Sequence, residues 1–192
     1  MNEYYEIFIE TEALLNGHFL LTSGRHSNQY FQCAKVLQYP DKTEQICRRI
    51  SNYFKDYNID TVLSPALGGI IVGQEVARQL GKRSIFAERE ESRLTLRRGF
   101  SLKEGEKVLI CEDVVTTGGS VFELIDIVKN SGAELIGVGM LVDRSNGKVN
   151  FNVPQVSSIQ LEVISFLPEE CPMCADGLEV VKPGSRKKLI VR

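Results

Sequence analysis

The stretch Val108–Ser120 reads VLICEDVVTTGGS and joins an apolar run to two adjacent acids and a turn of small residues. Lys107–Cys111 is apolar enough to form a buried parallel strand. The apolar residues after the turn recur at helical spacing: Val121, Leu124, Ile125 and Val128. The backbone N–H groups of Thr117–Ser120 would therefore begin a helix and could bind an anion at the carboxyl edge of a sheet.

Two acids, Glu112 and Asp113, stand between the apolar run and the turn. Two carboxylates beside a phosphate would repel it, so they need another task. Accepting hydrogen bonds from the vicinal hydroxyls of a sugar meets that need, while the hydroxyls of Thr116, Thr117 and Ser120 add donors for the phosphate. The sequence predicts a sugar phosphate as the ligand.

This run resembles the signature of type I phosphoribosyltransferases. The resemblance implies an α/β fold, with a mostly parallel sheet flanked by helices and an N-terminal hood. It also implies that Glu112 and Asp113 hold the ribose hydroxyls of phosphoribosyl pyrophosphate (PRPP) and contribute to catalysis. The remaining residues of the run would bind PRPP as well, chiefly its 5-phosphate: Val114, Val115, Thr116, Thr117, Gly118, Gly119 and Ser120. A turn that serves packing alone is the alternative.

The chain has 192 residues, 43% hydrophobic and 25% charged, with a formal net charge of −2. That length fits one domain, divided into a helix and hood segment (1–36), an α/β core (37–165) and a C-terminal extension (166–192). The small net charge argues against nucleic acid as a partner. The absence of a long apolar run and of a basic leader predicts a cytoplasmic protein that does not bind a membrane.

Periodicity along the chain predicts helices that alternate with strands. Apolar spacing indicates a helix over Tyr4–Leu15, ended by Asn16-Gly17, and a second helix that begins at Pro40. Strands are expected at Thr61–Ser64, Ser84–Ala87, Leu135–Val142 and Ile159–Ile164, with a further short run at His18–Leu21. This alternation is typical of a mostly parallel sheet.

The segment Ser23–Phe31, which contains Ser-Gly-Arg, is similar to the hood of orotate phosphoribosyltransferases. The resemblance implies that Tyr30 and Phe31 cover the base. The alternative is that both are strand residues that pack on the core. Members of that family commonly carry a Lys before Ser-Gly-Arg, whereas this chain has Thr22.

The turn Pro65–Gly69 follows a predicted strand and precedes a helix. It is similar to the pyrophosphate loop of the family, which implies that Leu67 and Gly68 contact PRPP. Many relatives have a Lys there, so backbone N–H groups are the expected donors. A plain turn between strand and helix is equally compatible with the sequence.

The stretch Glu88–Arg98 is long and polar for a connection, and we expect it to be mobile. The resemblance places it at the catalytic loop that closes over the active site of the partner in a homodimer. Arg89 aligns with a loop Lys and is assigned to catalysis. The other loop candidates are Arg93, Arg97 and Arg98, which cannot be matched one by one. A solvated charged hairpin is the alternative.

Arg144 follows a predicted strand, Val138–Asp143, and should emerge on the ligand side of the sheet. In orotate-using relatives an Arg at this place pairs with the substrate's carboxylate, and Thr116 is assigned to orotate as well. A surface Arg paired with Asp143 is the alternative interpretation.

Five cysteines without a regular framework read as reduced thiols, with Cys33, Cys47 and Cys111 as buried apolar residues. Cys171 and Cys174 have the spacing of metal ligands, but no second pair of suitable spacing is evident. A reduced pair in a loop is favoured over a zinc site shared between subunits. The two histidines, His18 and His26, read as too isolated to support metal chemistry.

The motifs from Ser23 to Arg144 follow the order found in orotate phosphoribosyltransferases. The resemblance implies transfer of a phosphoribosyl group from PRPP to orotate, with orotate and PRPP as substrates and Mg²⁺ as the cofactor. The magnesium would arrive on PRPP, and no side chain is assigned as its direct ligand. A phosphoribosyltransferase for uracil or a purine, and a nucleotide-sensing regulator of the same fold, are the alternatives.

Overall fold

The computed structural model describes residues 3–21, 23–161 and 164–182. Its strands are β1 (Leu14–Leu20), β2 (His26–Phe31), β3 (Thr61–Pro65), β4 (Arg83–Glu90), β5 (Arg93–Leu96), β6 (Lys107–Val115), β7 (Glu134–Asp143), β8 (Gln155–Gln160) and β9 (Ser165–Phe166). Its α-helices are α1 (Glu3–Glu10), α2 (Cys33–Leu37), α3 (Pro40–Phe54), α4 (Gly68–Leu80), α5 (Gly119–Asn130) and α6 (Pro172–Ala175). None of these described helices is long and apolar enough to cross a bilayer.

The main sheet has six strands in the order β5-β4-β3-β6-β7-β8. All neighbouring pairs are parallel except β4 with β5, which confirms the predicted mostly parallel α/β sheet. The predicted strands over 61–64, 84–87 and 135–142 coincide with β3, β4 and β7. β8 begins earlier than the predicted strand over 159–164, of which residues 162 and 163 lie outside the described part.

Side chains of the central strand β6 alternate between two hydrophobic clusters, one on each face of the sheet. Leu109 and Cys111 pack in the cluster that contains the buried faces of α3 and α4. Val108 and Ile110 pack in the other cluster, with α5. Because both faces are covered, the strand is apolar throughout this stretch, as parallel strands usually are.

The predicted helix over 4–15 is correct only in its first part. α1 ends at Glu10, and Glu12 follows it with a left-handed φ of 52°. Leu14–Leu20 is instead a strand, which pairs antiparallel with β2, while β9 pairs with the other edge of β2. The apolar spacing suggested a helix. It was misleading because backbone pairing with β2 stabilises a strand at these residues instead.

The stretch 88–98 contains a β-hairpin, the shape named in the alternative interpretation, and its role as a catalytic loop stays a prediction. Antiparallel pairs run from Ala87 opposite Leu96 to Glu90 opposite Arg93. Glu91 and Ser92 form the turn, with φ of 46° and 73°. Two positive φ angles in a row match the twist that a two-residue hairpin turn requires.

Candidate active site

The turn after β6 has the geometry of an anion site. Gly118 is left-handed at φ 79° and precedes the first residue of α5. The N–H of Phe122 donates to the carbonyl oxygen of Gly118 at 2.9 Å. A Cβ on Gly118 would lie 3.0–3.1 Å from side chains of Phe151, Val149 and Phe122, so the position suits glycine in both conformation and space. The turn surrounds a cavity of about 260 Å³ that Glu112 also lines.

The two acids lie inside β6, which continues to Val115, and not after its end. Glu112 is buried, and one of its oxygens accepts a hydrogen bond from the N–H of Asp113 at 3.0 Å. Burial, followed by the charge of Asp113, raises the pKa of Glu112 from 4.5 to about 9. The pair therefore carries less negative charge at neutral pH than two free carboxylates would.

The turn between β3 and α4 packs directly against the acid pair. A Cβ on Gly68 would lie 2.6 Å from Cγ of Asp113, and one on Gly69 would lie 3.3 Å from an oxygen of Glu112. The peptide between Ala66 and Leu67 is cis, and the Leu67 side chain is 84% exposed. The close approach explains why this turn has two glycines, which a plain connection would not require.

A cavity of about 900 Å³ opens between the main sheet and the hood strands. Its wall includes Asp113, Thr116 and Arg144 from the sheet edge, and Tyr30 and Phe31 from β2. Thr116 and Thr117 line both this cavity and the smaller one at the turn. One ligand could therefore place a phosphate in the turn and extend into the larger cavity.

Arg144 enters the large cavity from the end of β7. Within the described residues, its buried Nε has no hydrogen-bond partner, and burial lowers the pKa of the guanidinium. The alternative pairing with Asp143 is not observed, because the Asp143 carboxylate accepts hydrogen bonds from Ser145 and from the N–H of Gly147 at 2.7–3.0 Å. A buried donor without a partner is costly, and an anionic ligand would satisfy it.

Tyr30 and Phe31 pack against other aromatic residues and also line the large cavity. Phe31 is 5% exposed and packs against Phe8 with ring centroids 5.9 Å apart, while Tyr30 packs against Phe19 at 5.8 Å. Both residues also line the large cavity. Arg25 connects β2 to β9 through hydrogen bonds of 2.6–2.8 Å to Ser165. The core contacts thus fix the strand that forms the cavity wall.

The loop arginines differ in their surroundings. Arg89 lines the small cavity and pairs with Glu123 of α5 at 3.0 Å. Arg98 pairs with Glu88 at 2.8 Å, and Arg97 with Glu90 at 3.6 Å. No interaction of the exposed Arg93 side chain is found in the described part of the chain. The hairpin therefore keeps most of its cations near acids of the same chain.

Two groups of residues escaped the sequence analysis. The short helix α2 contributes Cys33, Ala34 and Leu37 to the large cavity, and no local motif indicated it. The prediction that His18 and His26 are isolated is wrong, because their ring nitrogens lie 2.8 Å apart beside two cysteines. Cys33, Cys47 and Cys111 are buried free thiols, as predicted.

Comparison with known proteins agrees with this geometry. The model of the phosphoribosyl transferase domain family matches residues 35–169. The orotate phosphoribosyltransferase of Chlorobium phaeobacteroides is 58% identical, over 94% of this chain and 94% of that protein. The orotate phosphoribosyltransferase of Desulforamulus reducens is 55% identical, over 96% and 97%. A crystal structure of orotate phosphoribosyltransferase from Aeropyrum pernix superposes with a TM-score of 0.69 at 23% identity, covering 82% of this chain and 93% of that one.

The match to the phosphoribosyl transferase domain family places the chain in the class of phosphoribosyltransferases, and it includes the glycine turn after β6, the adjoining acid pair and the second glycine turn. The similarity over nearly the whole chain narrows the class further. This chain belongs to the orotate phosphoribosyltransferase family.

Proposed function

We propose that this protein transfers the 5-phosphoribosyl group of PRPP to orotate, giving orotidine 5′-monophosphate and pyrophosphate. The half-buried side chain of Arg144 carries the proposal. Arg144 lines a cavity large enough for a base and a sugar, next to the glycine turn, and its Nε has no hydrogen-bond partner among the described residues. Orotate has a carboxylate that can pair with this guanidinium, whereas uracil, hypoxanthine and adenine have none. The family's similarity across the chain supports the same substrate.

The two cavities suggest how the substrates lie. The 5-phosphate would accept hydrogen bonds from the amides and hydroxyls of Thr116–Ser120, and the ribose hydroxyls would donate to the acid pair. Orotate would lie in the large cavity between Arg144 and the hood residues Tyr30 and Phe31. The amides of Leu67 and Gly68 are then next to the pyrophosphate, because Gly68 touches Asp113.

In the reaction, N1 of orotate forms a bond to C1 of the ribose, the bond from C1 to the pyrophosphate oxygen breaks, and the proton of N1 passes to the departing pyrophosphate. The ribose becomes cationic in the transition state while the pyrophosphate gains negative charge. Asp113 stabilises the first charge, and the amides of Leu67 and Gly68, with Arg89 from the hairpin of the other chain, stabilise the second. No covalent intermediate with the protein is needed, since positioning and electrostatics supply the catalysis.

The raised pKa of Glu112 fits the order in which charges enter and develop in the site, first on PRPP and then on the ribose. A protonated Glu112 limits repulsion when the phosphate and pyrophosphate groups of PRPP enter the site. Cationic character at the ribose would then favour its ionised form. We therefore assign Asp113 as the main electrostatic group and Glu112 as a ligand for ribose hydroxyls.

We propose Mg²⁺ as the cofactor, bound to oxygen atoms of PRPP. The site fits such a cation, because the carboxylate of Asp113 is a hard oxygen donor at the glycine turn. When bound, the cation would supply charge neutralisation for the departing pyrophosphate.

We also propose a cytoplasmic homodimer in which the arginine hairpin of one chain reaches the active site of the other. All five cysteines are free thiols, which fits a reducing compartment. The exposed Arg93 at the hairpin tip is available for such a contact. Mixing Asp113→Asn chains with Arg93→Ala chains should restore activity above that of either variant alone. No recovery would oppose a shared site.

Substitution of Arg144 tests the substrate assignment. We expect Arg144→Ala to raise the KM for orotate by about 10²-fold, since charge-assisted hydrogen bonds of about 1.5–3 kcal/mol would be lost, and to leave the KM for PRPP nearly unchanged. Arg144→Lys should recover part of the loss. The measurement is the decrease in orotate absorbance with and without Mg²⁺, and Arg48→Ala on the exposed surface of α3 is the matched control.

Undiminished use of orotate by Arg144→Ala would contradict the role of this residue. Activity of the unchanged protein with hypoxanthine, adenine or uracil, but not with orotate, would favour the related transferases. Inactivity with every base would favour the regulator.

A further inference from the structure

Four side chains that commonly bind metals meet at the junction of the hood and the C-terminal segment. His18 lies on β1, His26 begins β2, and Cys171 and Cys174 lie at the start and within α6. One ligand atom from each residue lies within 4.8 Å of the other three. We call this group the Cys2His2 cluster. None of its four residues lines either of the two cavities of the candidate active site.

The separations within the cluster are close to those of a tetrahedral zinc site. Cys171 Sγ lies 3.4 Å from His18 Nε2, and Cys174 Sγ lies 3.7 Å from the same nitrogen and 3.3 Å from His26 Nδ1. Ligands at ordinary Zn–N and Zn–S bond lengths are about 3.3–3.8 Å apart in a tetrahedron. The two ring nitrogens are 2.8 Å apart and would separate by about half an ångström around an ion.

A hydrogen bond outside the cluster orients one of the histidines. Nδ1 of His18 lies 2.8 Å from the carbonyl oxygen of Leu178. Because a carbonyl can only accept, Nδ1 must carry the proton, which leaves the lone pair of Nε2 facing the cluster. This is the usual outer contact of a histidine that binds a metal.

Burial distinguishes this cluster from a chance group of surface residues. His18, His26 and Cys171 are 4%, 7% and 3% exposed, and only Cys174 is exposed. Four side-chain ligands and restricted access are typical of a structural zinc site, whereas a catalytic site keeps one position open. Two thiolates with two imidazoles in this arrangement favour Zn²⁺ over magnesium or calcium.

We propose that the Cys2His2 cluster binds one structural Zn²⁺ per chain. All four ligands come from the same chain, which replaces the shared site that the Cys171 and Cys174 spacing first suggested. The ion would join the C-terminal segment to the hood. The same junction has backbone hydrogen bonds from Leu20 N–H to the oxygen of Val181 and from Val181 N–H to the oxygen of His18, at 2.9 and 2.8 Å.

The position of the cluster suggests what the ion stabilises. His26 is the first residue of β2, and the same strand carries Tyr30 and Phe31 to the wall of the large cavity. Zinc at this end would hold β2 against β1 and α6 while leaving the phosphate turn unaffected. The ion thus supports the hood by positioning it and has no contact with the reacting atoms.

The test is the metal content of untagged protein, produced with zinc and then dialysed extensively. We expect about one zinc per chain in the unchanged protein and less than a tenth of that in Cys174→Ser and in His26→Gln. Cys47→Ala is the matched control, since Cys47 is a buried thiol of α3 outside the cluster, and it should keep its zinc. Replacement by Co²⁺ should give the visible absorption of a tetrahedral thiolate site, which Cys174→Ser should lack.

Thermal unfolding gives a second readout. A strong chelator should lower the Tm of the unchanged protein by roughly 5–10 °C and should have little effect on Cys174→Ser. Less than a tenth of a zinc per chain in the unchanged protein would overturn the proposal, and so would zinc retained by both cluster variants. A value near one half, lost in both variants, would restore the site shared between two chains. Because Cys174 is exposed, its substitution by Ser should not prevent folding.

Discussion

The turn after β6 and the Cys2His2 cluster each bring several polar groups together. The turn takes them from one continuous segment, whereas the cluster takes them from distant segments. The turn and its acids occupy the continuous segment Glu112–Ser120, where one strand and one helix position every donor. The cluster draws its ligands from positions 18, 26, 171 and 174, and three separate segments must pack together before it exists. A local site can be recognised from its sequence, whereas a nonlocal site becomes visible only in the fold.

The largest effect that we expect comes from the local site. Asp113→Asn keeps the size of the side chain and an oxygen that can accept the Val114 N–H bond of 2.9 Å, but it removes the charge that we propose lies nearest the ribose. We expect kcat to fall by about 10²-fold, the loss typical of one preorganised electrostatic group. Steady-state kinetics with saturating orotate and PRPP measure this change.

The same variant sharpens the comparison between the two sites. Asp113→Asn should bind as much zinc as the unchanged protein, because the Cys2His2 cluster is independent of the acid pair. Asp126→Asn, on the exposed side of α5, is the matched control and should retain its turnover. Unchanged turnover in Asp113→Asn would contradict the electrostatic assignment.

An intermediate effect concerns stability and pH. The pKa of Glu112 is 4.5 in the unfolded chain and about 9 in the native state. Between these two pH values the native state keeps a proton that the unfolded chain has lost. The contribution of this residue to the free energy of unfolding is therefore present in full below pH 4.5 and falls as the pH rises toward 9. Glu112→Gln cannot ionise, so it should be more stable than the unchanged protein at pH 8, by roughly 1–3 kcal/mol.

Urea unfolding of the ligand-free proteins at pH 5 and pH 8 tests this difference. The advantage of Glu112→Gln should be much smaller at pH 5, because that pH lies close to the pKa of 4.5 that Glu112 has in the unfolded chain. The exposed Glu104→Gln provides the control and should show no such pH dependence. An equal advantage at both pH values would indicate a packing effect instead of a raised pKa.

The smallest expected effect concerns the arginine hairpin. Glu123 accepts hydrogen bonds from Arg89 at 3.0 Å and from the N–H of Leu94 at 2.8 Å, and so ties the hairpin to α5. Glu123→Gln removes the charge but keeps an acceptor for Leu94. We expect a loss of less than about 1 kcal/mol in stability, because partly exposed ion pairs contribute little.

Hydrogen exchange should detect this change more sensitively than melting. Amides of residues 88–96 should exchange faster in Glu123→Gln, while those of β6 should not change. Arg48→Ala breaks an exposed pair with Glu44 on α3 and serves as the control. Protection of the hairpin equal to that of the unchanged protein would show that Glu123 does not hold it.

Prediction from the sequence succeeded where the structure of a segment depends mainly on residues within that segment. The apolar strand, the left-handed glycine and the amphipathic helix around Gly118 depend on neighbouring residues, and so does the start of α3 at Pro40. It failed for Leu14–Leu20, where pairing with β2 overrides helical spacing. It left the arginine pairs of the hairpin over 88–98 undetermined, because a run of charges does not reveal which acid each arginine meets.

The sequence by itself determined the α/β class, the glycine turn with its acid pair, and the family to which the chain belongs, because those features lie in short segments whose chemistry is local. Only the tertiary structure decided that Gly68 packs on Asp113, that the buried Nε of Arg144 has no hydrogen-bond partner among the described residues, and that the histidines meet the cysteines. The physical reason is the same for all three. Contacts between distant segments depend on how helices and strands pack, and burial acquires its energetic meaning only once that packing exists.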